Sequence, residues 1–379
     1  MPASVTWEGL RELAAFHAEN GCAISLHLNL DPHVSPTPAE ANARARSLLD
    51  LAAKRGEADR TDLTHDQKGA LKADLDRIRR FVELELDRGG AHGFVLFAAS
   101  LDNFWRPIAL TAPVPDEVKL ATELYLTPLV PLVESGEGAL VAHVGRERGD
   151  VYRLQSGRLV EIADRSEEQP RRHDQGGWSQ ANYQRHVDSL AHDHLRVVAD
   201  ELDRRRRSLG ARHVVIACTD ELKAELGGLL APDVRNIAVW THAEAHASPS
   251  DLLALVAPLL ENWRAEREGT AVDRWREEAA RDGRAAAGWG QTLEAASDGR
   301  VELLLYQPGA DRPAWRCPAC ARLQPDDGKC PLDGTELEWH EEGLDLAVHQ
   351  TLAHGGTALL VSARRDLDPV GGVGALLRY

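Results

Sequence analysis

Apolar positions along the chain fall into two periods. Short apolar or alternating runs predict strands over residues 22–30, 93–98, 139–144, 151–154, 158–162, 213–218, 236–240, 301–306 and 357–361. Three- and four-residue spacing predicts helices over 38–55, 64–88, 221–230, 250–268, 274–287 and 344–354. A longer helix starts near residue 180, with Ala181, Tyr183, Val187, Leu190, Ala191, Leu195, Val198 and Leu202 on one stripe and Ser179 as its N-cap. Turns are expected at Asp31-Pro32, Gly89-Gly90, Gly149 and Gly157. The stretch 101–107 could be a binding loop, but its Phe104 and Trp105 are more simply read as packing residues.

Strands interleaved with helices place the chain in the α/β (α+β) class. Its 379 residues divide into an N-terminal α/β domain over 1–135, a middle domain over 136–268 and a C-terminal α/β domain over 269–379, with Gly136-Glu-Gly138 as the first hinge. No internal repeat or low-complexity tract interrupts them. The middle domain orders three strands, a polar loop, the long helix, then strand, helix and strand. A net charge of −16 argues against broad electrostatic binding to nucleic acid, so any RNA contact must be local. Arginine outnumbers lysine 38 to 6; guanidinium suits phosphate, but a GC-rich coding sequence gives the same bias. No apolar run could span a bilayer and no leader pattern opens the sequence, so a cytoplasmic protein is expected.

Cys22 and Cys218 lie in strand-like runs and read as core residues rather than disulfide partners. The other three cysteines are clustered. Cys317-Pro-Ala-Cys320, nine residues, then Cys330-Pro-Leu-Asp333-Gly334 has the spacing of a zinc ribbon, inserted over 315–340, with aspartate in place of the last cysteine. Zinc here would be structural, since so short a loop has little apolar content to fold around. Cys317, Cys320, Cys330 and Asp333 are the expected ligands, with His340 or water as rivals to Asp333. The alternative is a vestigial knuckle that binds no metal.

The remaining candidate chemistry lies just before the long helix, in Arg171-Arg172-His173-Asp174-Gln175-Gly176-Gly177-Trp178-Ser179-Gln180. Paired glycines allow a sharp loop and close approach of a bulky partner. They present Gln180 at the positive end of a helix, where an anion or developing oxyanion is stabilised. The plainer alternative is a Gly-Gly turn that caps a surface helix. The polar run from Asp164 predicts that residues 164–180 project from the middle domain, exposed and mobile.

This segment, in its place within the middle domain, resembles the Gly-Gly-Gln loop of the archaeo-eukaryotic class-I peptide-chain release factors. It is more similar to their bacterial relatives and to the peptidyl-tRNA hydrolases of ribosome quality control, where residues separate the glycines from the glutamine. Gly176, Gly177 and Gln180 match the motif, and Trp178-Ser179 is an insertion. The resemblance extends to a C-terminal α/β sandwich like the kink-turn-binding proteins, with an inserted zinc ribbon, and is weakest in the N-terminal third. It implies hydrolysis of the ester in peptidyl-tRNA, with Gln180, Gly176, Gly177 and Ser179 catalytic. It also implies that Arg171, Arg172, Trp178 and Arg185 contact RNA. The implied partners are the ribosome, peptidyl-tRNA and rRNA, with a translational GTPase as a further candidate and no membrane. The family's Asn-Ile-Lys-Ser codon reader is absent, which points to rescue of stalled ribosomes rather than termination. The alternative is a non-catalytic ribosome-binding hibernation or stress factor. A metabolic hydrolase has no Ser-His-Asp pattern or phosphate loop in its favour.

Overall fold

The computed structural model describes residues 5–58, 63–110, 112–133, 139–155, 158–166, 179–244, 246–281 and 283–379; the side chains of 58, 155, 158, 165, 166 and 179–190 are not described. The chain is mixed α/β and divides into two compact units, residues 135–264 and residues 1–134 with 265–379.

The chain opens with α1 (Trp7–Ala14), whose first turn is capped by Thr6 accepting from the Gly9 N–H. Four antiparallel strands follow in the order β3-β2-β1-β4: β1 (Ala23–Asn29), β2 (Gly93–Ala99), β3 (Phe104–Leu110) and β4 (Glu117–Ala121). Between β1 and β2 lie α2 (Pro38–Ala58) and α3 (His65–Leu84), the latter started by a Thr64–Gln67 capping box. Alternation sends Ile24, Leu26, Phe94 and Leu96 towards Leu49, Leu75 and Ile78 of these helices. The opposite face holds Val95 and Phe97. Phe104 meets Phe16 and Trp105 carries the Arg77 guanidinium, so the 101–107 stretch is packing, as expected. After β4 comes the one-turn α4 (Val130–Val133).

In the middle unit the sheet order is β7-β6-β5-β8-β9, from β5 (Leu140–Val144), β6 (Arg148–Gln155), β7 (Arg158–Ser166), β8 (Val214–Cys218) and β9 (Ala238–His242). β5, β8 and β9 run parallel, whereas β6 and β7 form an antiparallel meander. On one face lie α5 (Ser179–Leu209), α6 (Asp220–Leu229) and α7 (Pro232–Arg235); the other carries the first turns of α8 (Pro249–Ala279), through Leu252 and Val256. Gly149 is not a turn residue as the sequence suggested. The turn spans 145–148, and Gly149 pairs with Val144 inside β6. β7 also runs further than expected, so Asp164 and Ser166 are strand residues paired with Asp150 and Arg148.

Residues 274–287 are not a separate helix. α8 continues through Gly269, whose helical cost of about 1 kcal/mol is tolerable. The buried Glu268 carboxylate supports that stretch by accepting from the N–H groups of Ser362 and Ala363. Ala285–Ala287 forms β10 instead, and α9 (Gly288–Ser297) follows. The C-terminal sheet has the order β10-β16-β11-β15, from β11 (Val301–Tyr306), β15 (Thr357–Leu360) and β16 (Val373–Leu377). Three short strands, β12 (Ala314–Arg316), β13 (Leu323–Gln324) and β14 (Glu338–His340), make a ribbon before α10 (Gly343–Ala353).

Both ends of the chain share one core, in which Leu10, Phe97 and Leu124 join Trp289, Leu293, Leu304 and Val348. Asp345 of α10 locks it. Its carboxylate accepts from the Leu126 and Thr127 N–H groups at 2.9 and 2.8 Å and from the Thr127 hydroxyl at 2.7 Å. His349, one turn on, lies 3.4 Å from the same carboxylate and 2.6 Å from the Leu124 carbonyl oxygen. Burial would raise the Asp345 carboxyl, but the His349 and Thr127 hydrogen bonds hold it below its ordinary value. Asp345→Asn is therefore expected to lower the unfolding free energy by about 3 kcal/mol, measured in urea, because it removes one partner of a buried pair.

His27 lies fully buried on β1 between the rings of Phe97 and Tyr125, with neither ring nitrogen hydrogen-bonded. Burial pushes its pKa down to about 4, against 6.5 for a free histidine. The unfolded chain therefore binds the extra proton between these values. The associated stability is complete above pH 6.5 and is lost as pH falls towards 4, by about 3 kcal/mol in all. Urea unfolding at pH 7 and pH 4.5 should show this loss, and His27→Leu should shrink the difference.

Candidate functional sites

The position of Gln180 follows from how α5 is held. Ala191, Leu195, Val198, Ala199 and Leu202 are buried against Leu140, Ala142, Val144 and Val151 of the sheet and Val214 and Ile216 of β8. This is the later half of the stripe read from the sequence. Its approach to β6 is very close: a Cβ on Gly149 would stand 2.3 Å from a Val198 methyl. Further along, Glu201 is 1% exposed and accepts from Arg205, whose guanidinium also donates to the Ile162 carbonyl. These contacts fix the axis of α5 relative to its own sheet.

Ser179 and Gln180 are the first two residues of α5, so Ser179 is helical and does not occupy the cap position. The backbone N–H groups of the first turn have no partner within the helix and carry its positive dipole end. Gln180 precedes Ala191 by about 16 Å along the axis at 1.5 Å per residue. Arg185 lies on the same early stretch. Of the other expected site residues, Arg171, Arg172, Gly176, Gly177 and Trp178 lie outside the described residues.

The cysteine cluster is assembled. One ligand atom from each of Cys317, Cys320, Cys330 and Asp333 lies within 4.8 Å of all the others, a group that could hold a metal ion. Asp333, not His340, is the fourth member. Cys317 Sγ stands 3.4 Å from Asp333 Oδ2, and Cys320 Sγ 3.5 Å from Cys330 Sγ. Two similar knuckles build it. The Ala321 N–H returns to the Cys317 carbonyl and the Gly334 N–H to the Cys330 carbonyl, and both closing residues have positive φ, 59° and 75°. Glycine takes that conformation without strain, which explains the Asp333-Gly334 pair. Hydrogen bonds from the Thr335 N–H and hydroxyl hold the Asp333 carboxyl well below the usual carboxylate range, so it is ionised and ready to ligate.

Residues 125–261 match the model of bacterial archaeo-eukaryotic release factor family 10. Over that stretch the chain is similar to the bacterial branch of the archaeo-eukaryotic release factors. The match covers residues 135–261 of the middle unit, including the Gly176-Gly177 and Gln180 positions and all of α5. Solved structures similar to this chain include the archaeal translation termination factor aRF1, at 15% identity over 99% of both chains with a TM-score of 0.27. Others are Pelota in a model of ribosome-bound archaeal Pelota and ABCE1 (16% identity, 76% and 78% of the two chains, TM-score 0.44) and S. cerevisiae Dom34 (11%, 76% and 81%, 0.38). No curated protein matches the chain.

Two features of the chain escaped sequence reading. Asp345 and His349, spaced one helical turn apart, look like any amphipathic pair until their partners near Thr127 are known. Asp150 occupies a buried strand position, for which its place directly before the strand-like run at Val151 was the available signal. The metal group leads to a direct expectation. Reduced protein titrated with cobalt(II) should develop thiolate-to-metal charge-transfer absorption that saturates at one ion per chain, and Cys317→Ala should abolish it.

Proposed function

We propose that this protein is a peptidyl-tRNA hydrolase that acts on stalled ribosomes, with Gln180 at its reactive tip. The observation that carries this reading is the coincidence of the family match with the Gly176-Gly177 pair and Gln180 at the start of α5. An amide is too weak a base to deprotonate water. Gln180 therefore acts by position: its side chain and the free N–H groups of the first helical turn orient water and support the tetrahedral oxyanion. Gly176 and Gly177 give the loop its bend, and Ser179 completes the tip. Arg171, Arg172 and Arg185 meet rRNA or tRNA phosphate, and Trp178 stacks on a base. The RNA contact is local because the whole chain is acidic.

Zinc is the metal we assign to Cys317, Cys320, Cys330 and Asp333. Three thiolates and a carboxylate from two tight knuckles suit a closed tetrahedral site, which supplies folding energy and no chemistry. The proposed setting is the cytoplasm, with the ribosome and peptidyl-tRNA as partners and a translational GTPase as a delivery factor. No described helix is long and apolar enough to cross a membrane.

The test is release of labelled peptide from peptidyl-tRNA on purified stalled ribosomes. Wild-type protein should release peptide, and Gln180→Ala should lower the rate by about 100-fold or more, the scale for losing one oxyanion donor. The variant should still co-sediment with ribosomes. Wild-type protein that co-sediments without releasing peptide would instead act by occupancy, as a hibernation or stress factor.

A further inference from the structure

The middle unit contains a cavity of about 270 Å3 on the α8 face of its sheet, lined by His143, Arg148, Asp150, Tyr152 and Glu161 and by the loop residues His246 to Pro249. The strand register builds it. His143 on β5 lies opposite Asp150 on β6, which lies opposite Asp164 on β7, and Tyr152 lies opposite Glu161. His143 and Asp150 thus occupy buried positions on the face where Val141 and Val215 pack a little further along.

Asp150 is the unusual member. It is 1% exposed; one carboxylate oxygen receives the Arg148 Nε–H at 2.7 Å, and the other is buried with no hydrogen-bond partner. A buried carboxylate oxygen without a donor is a standing cost to the fold. His143 supplies a second acceptor. Its Nε2 lies 2.8 Å from the Glu244 carbonyl oxygen, which can only accept, so in the neutral ring the proton sits on Nε2 and Nδ1 carries a lone pair. Glu161 adds an exposed carboxylate at the rim.

The lining is therefore rich in acceptors and carries two carboxylates against one guanidinium. Its side walls are apolar, formed by the Tyr152 ring, Ala247 and Pro249. Direct coordination of an ion is not indicated, since among the described residues only the cysteine cluster brings three or more ligand atoms together. We propose that this cavity binds a small organic cation whose ammonium or guanidinium group donates to Asp150 and His143 while its methylene chain lies along Tyr152 and Pro249. Arg148 already shows Asp150 accepting from a guanidinium on its other oxygen. The proposal does not depend on peptidyl-tRNA hydrolysis.

The experiment is calorimetric titration of the full chain with agmatine in amine-free buffer, with sodium chloride of equal ionic strength as control. Saturable binding of one agmatine per chain is expected. Asp150→Asn should weaken it by about tenfold or more, the scale of a hydrogen bond to a charged group. Glu161→Gln, at an exposed position that should not disturb folding, should weaken it several-fold. In protein carrying 15N-histidine, agmatine should shift the His143 ring nitrogens, a readout independent of either variant. Absence of saturable heat, or equal affinity in wild type and Glu161→Gln with an unmoved His143 resonance, would overturn the proposal and assign any heat to the chain's net negative charge.

Discussion

The contact on which the placement of α5, and so of Gln180, depends is between Val198 and the bare backbone of Gly149. A side chain on residue 149 would collide with Val198, and α5 would have to lift from β6. Close-packed interiors transmit such a displacement rather than absorb it. A small tilt at Val198 would become a large displacement at Gln180, which lies some 27 Å along the same helix at 1.5 Å per residue. The residues that position Gln180 are therefore the apolar ones from Ala191 to Leu202, together with one glycine. None of them resembles a catalytic residue.

Much of this was legible. The stripe Ala191, Leu195, Val198 and Leu202 appears in the sequence as a three- and four-residue period, and the same residues are buried. The cysteine spacing and the Asp333-Gly334 step indicated a four-group cluster, because a tight knuckle needs its turn residue wherever it occurs. Gly149 was misread because glycine marks both turns and close approaches, and only the opposing helix distinguishes them. The break expected near residue 270 did not occur, since the buried carboxylate of Glu268 is matched by backbone N–H groups some 94 and 95 positions away. Partners that distant leave no local pattern. The same holds for Asp345, whose reach to Leu126 and Thr127 spans more than 200 residues.

The charge pattern also changes meaning in three dimensions. A high arginine count beside net acidity looked like a choice between phosphate recognition and coding bias. Many of the described arginines are spent internally. Arg274 makes a two-pronged pair with Glu302, Arg364 joins Asp273 and Asp366, Arg44 meets the partly buried Asp116 and Arg316 the buried Glu123. Guanidinium suits these roles because its fixed fork satisfies a carboxylate with two hydrogen bonds.

That one core is shared by residues near both ends of the chain, from Leu10 to Leu377, sets an order of assembly during synthesis. When residues 1–134 have emerged, the core on the Val95 and Phe97 face of their sheet holds only its own residues, such as Leu10 and Leu124, since Trp289, Leu293 and Val348 are not yet made. Residues 135–264 are contiguous and meet no such delay; they can collapse as soon as α8 begins to appear. The earlier-made segment thus finishes folding only after the later one, and for that interval its core is incomplete and part of its apolar surface is exposed, the kind of surface that general chaperones hold.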